Sequence, residues 1–393
     1  MKVVRHGRVL GILLGLAAAT AIGLWTDVYA QTDATDASAG AVVLTNATSS
    51  AVDPSSDLAA DDSVIQNSEM MPRATHSLIL DIAEARDRAV AVGERGHILV
   101  SESRRDWRQV ENVPTRSTLT AVAAYADQVW AVGHDGVILH SADGGLTWVR
   151  QRIAPFDPAD VDNLRNGAPL LDVLFVDELH GFAVGAYSQL LATVDGGQTW
   201  ELRNVLGKSD AEINAEQAED NSVVNSDTGT LDQDALALDE ESDPHFNAIA
   251  RTGDGSYFIV AERGSAFRSS DDGVSWQRIQ LPYQGSMFGV LAFEAKHVLC
   301  FGLRGNVYES YDLGDQWYKI ETGTSLSLMG GNTFDDGGVV LVGANGIVLK
   351  RASASDDFHS SVHPDGNVLA GVTALSAAEF VIAGETGMSI YSN

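Results

Sequence analysis

The sequence predicts an all-β fold, a seven-bladed β-propeller with Asp-box repeats. Three observations carry that reading. A strand, glycine turn, strand unit recurs about seven times at the spacing of propeller blades; an aspartate-centred turn ending in tryptophan follows several copies; and no helical period interrupts the repeats.

The chain opens on Lys2, Arg5 and Arg8, runs apolar from Val9 to about Leu24, and presents small residues at Val28 and Ala30. That order matches a secretory signal peptide over residues 1–30. The open alternative is an uncleaved membrane anchor, for which the apolar run is short. Residues 31–73 are rich in Ala, Ser, Asp and Thr and poor in aromatic residues. Such a segment buries too little apolar area to offset its ordering entropy, so a disordered leader is expected. The propeller is assigned to residues 74–393.

Within it the repeat reads Ala91-Val92-Gly93-Glu94-Arg95-Gly96, Ala131-Val132-Gly133-His134-Asp135-Gly136, and Ala183-Val184-Gly185-Ala186-Tyr187-Ser188. It continues as Val260-Ala261-Glu262-Arg263-Gly264, Phe301-Gly302-Leu303-Arg304-Gly305, Val342-Gly343-Ala344-Asn345-Gly346, and Ala383-Gly384-Glu385-Thr386-Gly387. Glycine is expected because a tight turn between antiparallel strands needs positive φ. The flanking runs are short, apolar and β-branched, as buried strands are. Asp boxes follow the third strand: Asp143 with Trp148, Asp195 with Trp200, Asp271 with Trp276, and more loosely Asp312 with Trp317. The aspartate accepts bonds from the turn backbone and the tryptophan packs between blades. Blade one keeps only Trp107, and blade six has Phe358. The last copy stops after a third strand, so a segment within Ser63–Ser77 is expected to add the missing outer strand and close the ring.

These hairpins and boxes resemble the photosystem II stability/assembly factor-like family of BNR/Asp-box propellers, over residues 74 to 393. The resemblance implies a non-catalytic, exported scaffold that helps assemble a membrane complex by binding a protein partner, a membrane protein or an exported segment. It implies a periplasmic or extracellular location, or a thylakoid lumen in a photosynthetic organism, and leaves open an accessory to another membrane complex or transporter. An arginine patch is associated with the family. Arg95, Arg263 and Arg304 each precede the hairpin glycine, which places all three on one face; pairing of each with a neighbour such as Glu94 or Glu262 is the alternative.

Two insertions are expected on that face. One spans about Ala154 to Pro169. The other, about Val205 to Asp243, is acidic and reads as a solvated loop or a flap over the arginines.

A sialidase-like glycoside hydrolase is the enzymatic alternative. It would need an arginine cluster, a Tyr nucleophile with a Glu base, and an Asp acid; Tyr187 is the lone tyrosine in a hairpin loop, and no Tyr-Glu pair can be assigned. His134, His140 and His180 lack metal-ligand spacing, and no phosphate or dinucleotide motif stands in a strand-to-helix context. No catalytic residue, metal or cofactor is therefore expected, and the chain is expected to be a monomer. Lys and Arg total 25 against 54 Asp and Glu, a formal net charge of -29, which argues against nucleic acid and anionic lipid as partners. Cys300 is the one cysteine and reads as a small core residue in Val298-Leu299-Cys300-Phe301.

Overall fold

Consecutive hairpins build every sheet of this protein, and the sheets follow one another along the chain. The computed structural model describes residues 62–161, 163–205, 243–334 and 337–392. The expected signal peptide, residues 31–61 of the leader and nearly all of the acidic insertion lie outside them.

Blade one holds β1 (Ile79–Glu84), β2 (Ala89–Gly93), β3 (Ile98–Ser101) and β4 (Arg108–Gln109). Blade two holds β5 (Leu119–Tyr125), β6 (Gln128–Gly133), β7 (Ile138–Ser141) and β8 (Val149–Arg152); blade three holds β9 (Leu170–Phe175), β10 (Gly181–Gly185), β11 (Gln189–Thr193) and β12 (Glu201–Leu202). Blade four is β13 (Phe246–Arg251), β14 (Tyr257–Ala261), β15 (Ser265–Ser269) and β16 (Gln277–Gln280). Blade five is β17 (Met287–Ala292), β18 (Val298–Gly302), β19 (Val307–Ser310) and β20 (Tyr318–Ile320). Blade six is β21 (Leu328–Phe334), β22 (Gly338–Gly343), β23 (Ile347–Arg351) and β24 (His359–Val362); blade seven is β25 (Leu369–Ser376), β26 (Glu379–Gly384) and β27 (Gly387–Ser392). The seven inner strands stand side by side, and β25 returns to lie against β1. The seven-bladed propeller expected from the repeats is the fold.

Burial follows the sequence pattern outward from the centre. Ala89–Gly93 is buried throughout, whereas the outer strand Gln277–Gln280 is largely exposed. Apolar clusters fill the seams between blades, and each box aromatic packs into the seam with the preceding blade. Trp148 joins Val90, Val92 and Val100 of blade one; Trp130 of blade two stacks on Phe175 of blade three at 3.5 Å between ring centroids, with Trp200 edge-on to Phe175. Cys300 is buried in the seam between blades four and five, as a small core residue.

Every inner strand slips register at its second residue, leaving Leu80, Thr120, Leu171, Asn247, Phe288, Met329 and Ala370 unpaired. Such bulges add the local twist that turns a strand around an axis. Leu80, Leu171 and Ala370, from three separate blades, meet in one cluster. Immediately after two of the bulges, Asp81 accepts the Val122 amide at 2.6 Å and Asp172 accepts that of Ile249 at 2.9 Å, so buried carboxylates stitch one inner strand to the next.

The repeat glycines divide into two roles, one of which differs from the expectation. The second glycine does need positive φ, as at Gly96 (φ +69). The first, Gly93, has φ -168, ordinary extended backbone; it is glycine because a Cβ there would collide with the Leu78 carbonyl oxygen. Gly343 meets the Ser327 carbonyl in the same way.

The boxes form as expected. Asp143 accepts bonds from the Ser141 hydroxyl (2.7 Å), the Thr147 amide (2.9 Å) and the Thr147 hydroxyl (2.7 Å), and Trp148 donates to the Gly145 carbonyl at 2.9 Å. Asp195, Asp271 and Asp312 repeat the pattern. In blade one Ser103 takes the place of the aspartate, accepting from the amides of Arg105 and Asp106. Blade six does something else. Arg351 stands where the box serine stands in other blades, and its guanidinium donates to both carboxylate oxygens of Glu309 in blade five, at 2.6 and 3.1 Å. His297 bonds the same carboxylate at 2.7 Å, and Phe358 covers the guanidinium.

The expected closing strand does not form. Among the described residues blade seven has three strands where the other six have four. Residues 62–77 lie instead across the hairpin side of blade one: the Ser68 amide donates to Val113, the Ser68 hydroxyl to Arg95, and the Arg116 amide to Ser63, while Val64 is buried against blade one. The segment then reaches blade seven at Gly387, where Thr75 leaves no room for a side chain. Pro72 in the middle of the segment offers no N–H to a ladder, which suits a crossing and not a strand. The part of the leader from residue 62 onward is thus held by specific bonds.

Candidate binding face

Strand direction sorts the loops onto two faces. Hairpins between second and third strands, connectors between blades and residues 62–77 share one; Asp boxes and the turns between first and second strands share the other. Arg95, Arg263 and Arg304 fall on the hairpin face as expected, all exposed.

Their backbone is notable. Arg95 (φ 56), Arg263 (φ 54) and Arg304 (φ 58) each occupy the left-handed region beside the hairpin glycine. The equivalent positions in blades two and six hold Asp135 (φ 57) and Asn345 (φ 52), the residue types that tolerate this conformation best. An arginine there costs about 1 kcal/mol. Neither Arg95 nor Arg304 has a carboxylate of the described residues within ion-pair distance. Glu94 accepts the Leu78 amide at 3.3 Å, and Glu262 lies 3.8 Å from His245, so pairing of Arg95 with Glu94 does not occur.

The three arginines share a face but not one patch. Blades four and five are adjacent, which sets Arg263 beside Arg304, whereas blade one lies across the ring.

The insertion Ala154–Pro169 sits on this face and is internally bonded. Asn166 donates to the carbonyls of Asp157 and Asp160 and accepts the Asp157 amide. Arg165 anchors it, donating to the Tyr187 carbonyl at 2.9 Å and pairing with Asp243 at 3.3 Å where the acidic insertion ends. The bonded loop holds Phe156 and Val161 outward, 59% and 64% exposed. Arg165 escaped sequence reasoning because nothing in its spacing marks it; only the fold brings Tyr187 and Asp243 together. The Tyr187 ring packs edge-on to His245, and no bond links Tyr187 to a carboxylate among the described residues. His140 bonds Gln128, and His180 bonds Asp177. No metal-holding group occurs among the described residues.

Comparison with known proteins follows the same line. The family model for "Photosynthesis system II assembly factor YCF48" matches residues 155–221, which take in the bonded insertion, blade three and the first part of the acidic insertion. This chain is similar to the photosystem II assembly factors. It is 29% identical over 134 residues to the photosystem II assembly protein Ycf48 of Thermosynechococcus vestitus, covering 32% of this chain and 39% of that one. It is 28% identical over 134 residues to the chloroplastic stability/assembly factor HCF136 of rice, covering 34% of this chain and 23% of that one. The alignments thus span less than half of each relative. Among solved structures, YCF48 bound to D1 peptide superposes with a TM-score of 0.58 at 16% identity, covering 83% of this chain and 94% of that one. YCF48 from Cyanidioschyzon merolae gives 0.56 at 14%, covering 84% and 98%. At those identities the likeness shows the fold alone, and the WD40 propeller of Doa1 scores 0.54 at 9% identity, covering 84% and 96%.

Proposed function

We propose that this protein is a non-catalytic scaffold of the assembly-factor kind, which holds an extended segment of a membrane or exported protein against the hairpin face. The observation that supports it is the placing of three arginines in left-handed turns that favour Asn or Asp, a local cost of the type that accompanies binding sites. The exposed apolar residues Phe156 and Val161 of the 154–169 insertion add contact area on the same face. The relatives are named as photosystem II assembly factors, and one of the similar structures carries a D1 peptide, an instance of the partner class proposed here. Such a site suits a partner with acidic or carbonyl-rich segments, which the exposed guanidinium groups bind through charge-assisted bonds. An exported location, periplasmic or luminal, and a monomeric state belong to the same reading.

The test is capture of partner from the host's detergent-solubilised membranes by immobilised protein. A variant with Arg95, Arg263 and Arg304 all changed to Glu is expected to recover less than a tenth of the partner held by the wild type. Equal recovery refutes the arginine-face reading. Turnover of glycosides by the purified protein would favour a hydrolase instead.

A further inference from the structure

Residues 62–77 cross the hairpin face, and two side-chain bonds tie them to the turn of blade one. The Ser68 hydroxyl donates to the Arg95 carbonyl at 2.9 Å, and the Ser77 hydroxyl meets His97 Nδ1 at 2.9 Å. His97 follows the turn glycine and is 2% exposed. Val137 and Ile347 hold that place in blades two and six, so the fold accepts an apolar side chain there and has no need of an imidazole. The bond to Ser77 fixes the hydrogens of the ring. Ser77 has one hydroxyl hydrogen and donates it to the Ala74 carbonyl at 2.7 Å, so towards His97 it can only accept. Nδ1 therefore carries the hydrogen, and Nε2 is left a bare acceptor, buried without a partner. A second proton would go to Nε2, charging the ring where its N–H meets neither water nor an acceptor. Among the described residues the charges acting on the ring are Glu94 and Arg95 of its own turn, which oppose each other. In the crossing segment Asp62 accepts the Val64 amide, Glu69 pairs with Arg116, His76 bonds the Thr75 hydroxyl and Arg73 is exposed.

We propose that His97 is an acid-operated release for residues 62–77: the neutral ring holds the segment on the hairpin face, and protonation lets it leave. Departure opens Nε2–H to water and frees the Arg95 turn from Ser68. Burial holds the ring below its ordinary value of 6.5, which it regains once the segment has left. The attached state thus takes up fewer protons than the released one. Attachment is full above the ordinary histidine value and weakens as pH falls through it towards the depressed one. The inference stands whether or not the arginines bind a partner.

The readout is tryptic cleavage of the purified full chain after Arg73, where the next residue, Ala74, is 3% exposed and keeps the bond out of reach until the segment leaves. Rates are divided by those on a free peptide of residues 68–79, which removes the protease's own pH response. From about pH 7.5 to about pH 5 the normalised rate of the wild type is expected to rise at least fivefold. His97→Asn, whose amide offers Ser77 a donor and takes up no proton, is expected to show no such rise. An unchanged rate in the wild type, or an equal rise in His97→Asn, overturns the proposal. NMR of the wild-type ring decides the matter if the variant fails to fold. An Nδ1–H tautomer that titrates below the ordinary histidine value is expected; an Nε2–H tautomer, or titration at the ordinary value, overturns the proposal.

Discussion

Replacing Arg351 by Met should destabilise the propeller by about 3–5 kcal/mol, because it strands a buried carboxylate. The magnitude follows from the geometry: the Glu309 and Arg351 side chains are 2% and 1% exposed, and the guanidinium makes two bonds to the carboxylate. His297 still bonds it. Changing Glu309 to Leu together with Arg351 to Met removes both charges from the seam, and is expected to fall within about 1–2 kcal/mol of the wild type, as buried pairs replaced by apolar side chains do. The assay is urea denaturation of the wild type, both single variants and the double variant, read as a thermodynamic cycle. In thermal scans the single variants should lose roughly 6–10 °C, taking about 2 °C per kcal/mol for a domain of this size. Burial acts to raise the Glu309 pKa, but the bonds from His297 and Arg351 outweigh it and hold the group at about 2. A group depressed in the folded state stabilises above the ordinary carboxylate range, and that contribution disappears as pH falls towards 2. The double variant should therefore show a flatter loss of stability across that acid window. A loss under about 1 kcal/mol for Arg351→Met, or strictly additive losses in the cycle, would refute the reasoning.

Trp148→Ala should cost about 3–5 kcal/mol, measured by urea denaturation, since the ring fills the seam between blades one and two. Gly387→Ala should free residues 62–77 from blade seven, because the new Cβ meets the Thr75 carbonyl and φ is +89; faster limited proteolysis within that segment is the readout. The bonds from the Ser275 hydroxyl, the Ser275 amide and the Ser269 hydroxyl hold Asp271 at about 2, so its box should lose stabilising effect as pH falls from the ordinary aspartate range to that value, and Asp271→Asn should flatten the acid limb of a stability–pH curve. Burial pushes the Cys300 thiol up, so the native protein should resist alkylation until it unfolds, which mass spectrometry after iodoacetamide treatment checks.

The architecture was legible because its determinants are local. A glycine at a hairpin turn and an aspartate that caps its own turn act within a few residues, so Gly96 and Asp143 read the same in sequence and structure. The closing strand was misread because the repeat pattern shows that a strand is lacking but not where a preceding segment goes; Pro72 was the available signal against pairing. Blade six showed only Phe358 in the sequence; Arg351 gave no signal because its partner, Glu309, lies 42 residues away in another blade. The face of the three arginines could be read from their place before the hairpin glycine. Their separation across the ring could not, since it depends on counting blades around a closed circle. His97 carried no signal at all: an orphaned ring nitrogen is visible only once its surroundings are built.

The junction of blades seven and one stands apart from the other six. Elsewhere a continuous backbone crosses from each blade to the next, so a seam that opens is still tethered by peptide bonds. Here, among the described residues, no strand passes from blade seven to blade one, and what holds the two is non-covalent: the Thr75 backbone against Gly387, Glu84 with Thr373, Arg105 with Glu379, and the apolar contact of Ala89 and Leu99 with Val381 and Ala383. The ring works like a bracelet with a clasp. Its links are peptide bonds, and its fastening is made of non-covalent contacts alone.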